Sequence, residues 1–104
     1  MSKSKANQRY VGIDKEINGG MTDTGKIIRD AWAFGLIPET ETCAGWLPQG
    51  IEDLWRKVQD EWGKYGYQVN NLPEETRERF LRIQAQAMQR ARSEGWDPEL
   101  FDDD

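Results

Sequence analysis

Between Pro48 and Lys64 the apolar side chains recur with one period. Ile51, Leu54, Trp55, Val58, Trp62 and Tyr65 stand at i, i+3, i+4, i+7, i+11 and i+14 along a single stripe. Glu52, Asp53, Arg56, Lys57, Gln59, Asp60 and Glu61 fill the positions between them. A spacing near 3.6 residues puts the first set on one face of an α-helix and the second in water. A strand, with period two, cannot sort them this way. Pro48 suits the first turn, where its missing N–H removes no helical bond. The rest of the chain must therefore supply an apolar surface to cover this stripe.

Two further segments offer such a surface. A helix is expected from about Thr24 to Phe34, with Thr22, Asp23 and Thr24 as capping residues and Asp23 suited to the positive helix end. Its core face is Ile27, Ile28, Ala31, Trp32 and Phe34. Gly35 fits a left-handed C-terminal cap, and Pro38 follows. A third helix is expected from about Leu72 to Glu94. Asn71 with Glu74 three residues on resembles a capping box, and Pro73 is tolerated in the first turn. Early Glu74, Glu75 and Glu78 and late Arg90 and Arg92 match the helix dipole. Phe80, Ile83, Ala87, Met88 and Ala91 mark its buried side, with Leu81 on the flank, and Gly95 ends it.

These elements predict an all-α fold: a compact three-helix domain with a long packed loop, about 36–49, and a short C-terminal helical turn carrying Leu100 and Phe101. Residues 1–9 read as a disordered tail, 10–101 as one domain and 102–104 as an acidic tail. Tyr10 to Ile13 reads as a short extended piece lying on the core, and Tyr67 to Asn71 as a turn. A loop as long as 36–49 is uncommon unless it packs on itself or has a task.

Composition narrows the chemistry. The 104 residues hold five tryptophans and no histidine. A tryptophan buries roughly 150–250 Å², so a short chain can still build a core. Without histidine the commonest general base and metal ligand is missing. The single cysteine, Cys43, cannot form an intrachain disulfide. It sits near Glu39 and Glu41, whose charges disfavour a thiolate, so a small apolar loop residue is the expectation. No calcium-loop pattern is present, and no metal or cofactor is expected. A net charge of −5 argues against a nonspecific grip on DNA or anionic lipid. No apolar run is long enough to span a membrane, and no signal peptide is read at the start. A soluble, cytoplasmic protein is the expectation.

Four groups of residues carry candidate chemistry. Gly20-Met21-Thr22-Asp23-Thr24-Gly25-Lys26 matches G-x-x-x-x-G-K, but Ile27 stands where a phosphate loop has Ser or Thr, and no parallel sheet is expected. What remains is a small-anion or nucleotide site on Gly20, Thr24, Gly25 and Lys26 at a helix N-terminus. Arg29 and Asp30 are expected on a solvent-facing edge. Arg79, Arg82, Gln86, Gln89, Arg90 and Ser93 share one face of the third helix. That stripe suits an acidic protein surface better than nucleic acid, because no aromatic interleaves with it. Trp32, Trp55 and Trp62 fall on core faces, whereas Trp46 and Trp96 are not placed by periodicity. Unconstrained tryptophans suit interfaces. The leading expectation is a non-enzymatic protein-interaction module of accessory or regulatory type. It would bind a protein partner, or form a homodimer, through Trp46, Trp96, Arg79, Arg82 and Gln86.

Overall fold

The computed structural model describes residues 9–16 and 20–95. Three helices carry the fold: α1 (Asp23–Ala33), α2 (Pro48–Lys64) and α3 (Glu74–Ser93). Among the described residues there is no strand, so the domain is all-α as expected. Of the expected tail only Arg9 is described. Trp96, the C-terminal turn and residues 102–104 lie outside the described residues.

Helix α1 is the centre. It packs against α2 on one side and α3 on the other, while α2 and α3 meet each other little. Ile28 and Ala31 of α1 join Leu54, Val58 and Trp62 of α2, with Leu72, Ile13 and Cys43 closing the core. Where α2 and α3 do approach, aromatic edges bridge them. The Trp62 ring stands perpendicular to both Phe34 and Phe80, at centroid distances of 5.2 and 5.6 Å.

The ends of α1 and α2 follow from local sequence. Thr22 Oγ1 accepts from the Gly25 amide at 3.0 Å and caps α1. Gly25 is required, because a Cβ there would fall 2.2 Å from the Gly20 carbonyl oxygen. At its C-terminus the Leu36 amide donates to Ala31 O and the Gly35 amide to Trp32 O, with Gly35 at φ 74°. This paired pattern is a Schellman cap, and it is the cap expected of Gly35. The end of α2 repeats it, with Tyr67 N to Trp62 O and Gly66 N to Gly63 O.

The start of α3 differs from the expectation. Pro73 is the N-cap and no side chain caps the helix. Asn71 lies in a 3₁₀ turn, Val69–Asn71, and its Nδ2 donates to Tyr65 O at 3.0 Å, so the capping box with Glu74 does not form. The reason is steric. A residue before proline is pushed out of the helical region, and Leu72 is extended at ψ 146°. That turn delivers Leu72 into the core at 3 % exposure.

The 36–49 connection packs on itself and on the N-terminal segment. Trp32 Nε1 donates to Glu41 O at 2.9 Å, and Glu41 Oε2 accepts from the Cys43 amide at 2.9 Å. Tyr10 N donates to Trp46 O, Gly45 N to Tyr10 O, and Ile13 N to Thr42 O. Residues 10–12 are thereby tied across the loop, and Ile13, which opens a 3₁₀ turn (Ile13–Lys15) instead of continuing the expected extended piece, enters the core.

Candidate functional site

On one side of the α1–α2 pair lies an open groove of about 1350 Å³. Trp46, Leu47, Ile51 and Trp55 line it from the α2 side, Ile27 and Asp30 from α1, and Trp62 and Phe80 from deeper in the molecule. Trp46 is set by its backbone bonds to Tyr10 and Cys43 and by a glycine beneath it. A Cβ at Gly50 would stand 3.4 Å from the indole, so the ring lies against the first turn of α2.

Trp55 does not enter the core. It is 49 % exposed, which corrects the expectation that it shares the buried face with Trp62. Helix α2 packs chiefly against α1, so one ridge of residues four apart (Leu54, Val58, Trp62) is covered, and the flanking Ile51 and Trp55 face the groove. Leu47 and Tyr67, which also line the groove, are 43 % and 63 % exposed. Large apolar side chains rarely stay together at a surface without a use.

Asp30 lies at the floor of this groove, 2 % exposed, and its neighbour Arg29 is 6 % exposed. The expected solvent-facing edge is therefore overturned. A helix covered on two sides has little free circumference, so both charged side chains are enclosed. Trp62 Nε1 donates to Asp30 Oδ2 at 3.0 Å, while Oδ1 is buried with no partner among the described residues. Burial pushes the Asp30 carboxyl above the usual carboxylate range, against the opposing pull of the Trp62 bond and the Lys26 and Arg29 charges. Arg29 Nη1 donates to Gly20 O at 2.7 Å and Nη2 contacts Met21 Sδ at 3.8 Å, and burial lowers the pKa of this guanidinium.

The other expected residues are placed as follows. Arg79 Nε donates to Ala33 O at 3.0 Å, at the C-terminal end of α1. Arg82 reaches both carboxylate oxygens of Glu39, at 3.1 and 2.8 Å, and its Nη1 lies 3.4 Å from Gln86 Oε1. These three sit on the α1–α3 side and do not line the groove that holds Trp46. Gly20 and Gly25 are engaged with Arg29 and Thr22, while Thr24 and Lys26 line the groove. The Cys43 thiol is fully buried and pushed up to about 11, first by burial and then by the Glu41 charge, so it stays protonated at neutral pH.

Sequence reasoning missed Trp55, Tyr67 and Asp30 as members of one site. A signal for the first was present: Trp55 follows Leu54 directly, so the two cannot both lie at the centre of one stripe. Among the described residues no group of three His, Cys, Asp or Glu side chains could hold a metal ion, and no helix is long and apolar enough to cross a membrane. No protein-family model matches the chain, nor does any curated protein or solved structure. The fold and groove define a small all-α domain with an aromatic-rimmed cleft over a buried carboxyl group.

Proposed function

We propose that this chain is a small non-enzymatic protein-interaction module, accessory or regulatory in role and working in the cytoplasm. Its groove takes an amphipathic helical segment of a partner that carries a basic residue at its centre. The observation that carries this reading is the rim of Trp46, Leu47, Trp55 and Tyr67 on a groove that Asp30 also lines, its buried Oδ1 without a hydrogen-bond donor among the described residues. Tryptophan and tyrosine contribute large contact areas at interface centres. The groove also exceeds the roughly 300–1,000 Å³ typical of small-molecule sites. Asp23, Asp30 and Glu52 outnumber Lys26 and Arg9 in the lining, Arg9 already donates to Gly45 O, and the chain as a whole is acidic, which favours a basic partner.

Selection from a random displayed-peptide library provides the test. Enriched peptides should show apolar residues at helical spacing with a central Lys or Arg, and should lose binding to a Trp46→Ser/Trp55→Ser double variant. Peptides that bind that variant as well as the wild type would overturn the groove assignment. Sedimentation of the free protein gives a second check, with a monomer expected. A dimer that dissociates in Trp55→Ser would make the occupant a second copy of the chain and contradict the partner-segment reading.

A further inference from the structure

On the opposite side of α1, against α3, lies a separate cavity of about 180 Å³ lined by Ile13, Arg29, Trp32, Glu39, Gln86 and Arg90, among others. Its chemistry is the reverse of the groove's. Arg29 is only 6 % exposed, and its Nε–H is buried with no partner among the described residues. Among the described residues no carboxylate forms an ion pair with Arg29. Arg90, on the facing helix, donates Nε to Glu94 at 3.0 Å and Nη2 to Asp14 O at 2.6 Å, and its Nη1 has no partner among the described residues. The one carboxylate in the lining, Glu39, has both oxygens held by Arg82. Glu16 and Asp30 lie close enough to Arg29 to act on it through space but do not bond it.

Two arginines thus line one small cavity, each with a donor that has no partner among the described residues, and the more buried of them has no bonded counter-ion there. A buried charge left without a partner is strongly unfavourable, and a second like charge nearby makes it more so. The cavity holds the volume of roughly six water molecules, room for one oxyanion with residual water. Guanidinium groups bind such anions through short, charge-assisted and often paired hydrogen bonds.

We propose that the Arg29–Arg90 cavity between α1 and α3 is a binding site for a small oxyanion, a phosphate or carboxylate group, that completes the charge balance of the fold. Gln86 supplies a further polar contact at its edge. The site is distinct from the aromatic groove and from the glycine-flanked N-terminus of α1, where Thr22 Oγ1 already holds the Gly25 amide.

The test is a titration of the full chain with inorganic phosphate and, separately, with acetate, each against sodium chloride at equal ionic strength. The Arg29 side-chain Nε–H and the Gln86 side-chain amide are followed by NMR, and Tm is recorded. Saturable shifts of both signals and a rise in Tm with either anion are expected, and the tighter of the two names the class. Arg90 is half-buried and outside the apolar core, so Arg90→Gln should stay folded while binding weakens by about tenfold or more. Shifts that match the chloride control for both anions, or binding that Arg90→Gln leaves unchanged, would overturn the site.

Discussion

The two sides of α1 are closed by different means. Toward α3 the seam is laced by long basic side chains: Arg79 reaches the end of α1, Arg82 reaches Glu39 in the loop, and Arg90 reaches Asp14 O. Toward α2 the core ridge is apolar and the flank is left open, with Trp46, Ile51 and Trp55 around a groove that the buried Asp30 also lines. The contrast teaches that the arginine stripe of α3, which reads from the sequence as a docking face, is in part internal structure. The aromatic residues that read as core are in part surface. Long charged side chains can seal a seam because their stems pack while their heads find carbonyls and carboxylates. Indole rings seal one only when a partner covers them.

The strongest way to break this contrast is to remove the residue shared by core and groove. Trp62→Ala deletes the perpendicular contacts to Phe34 and Phe80 and the bond to Asp30. Urea denaturation should show a loss of about 3–5 kcal/mol, and a loss near zero would mean that the groove floor is not packed as described.

Asp30 sharpens it through pH. Its pKa is raised in the folded state, chiefly by burial, so as pH rises the unfolded chain ionises first. The contribution to stability is fully present below the unfolded value of about 4 and is lost as pH rises through the folded pKa. The stability of wild type relative to Asp30→Asn should therefore fall between acid and neutral pH. A difference that grows with pH instead would place the carboxylate in a charge-stabilised setting.

On the α3 side the expected effects are smaller. Arg79→Met keeps the stem and removes the donor to Ala33 O, and should cost about 1–2 kcal/mol by denaturation, with α1 fraying first in hydrogen exchange. On the groove side Trp55→Ser should change stability least, by about 1 kcal/mol or less, because half of the ring is already in water. The same variant should weaken a selected peptide by about tenfold or more, which titration calorimetry would read.

How much of this was legible before the structure depends on the kind of information each feature needs. The limits of α2 are the expected Pro48 and Lys64, because one stripe, one proline and two terminal glycines define them locally. Gly35 as a Schellman cap is equally local. The cap of α3 was misread because the motif Asn71–Glu74 ignores what Pro73 does to Leu72. The exposure of Trp55 and the burial of Arg29 and Asp30 are not local properties at all. They depend on how many neighbours each helix has: α1 has two, α2 chiefly one, and periodicity records only that a face exists. The groove joins residues far apart in the chain, from Arg9 to Phe80, so Trp46, Thr24 and Lys26 could be singled out in advance, but not as members of one site.

The central claim is that the open side of α1, rather than the arginine-laced side, is the docking surface. Isotope-labelled protein titrated with a library-selected peptide tests it directly by NMR. The account predicts that the Trp46 and Trp55 indole N–H signals shift and saturate together, while the side-chain signals of Arg79, Arg82 and Gln86 stay in place. Movement of the α3 signals with both indoles unmoved would contradict it.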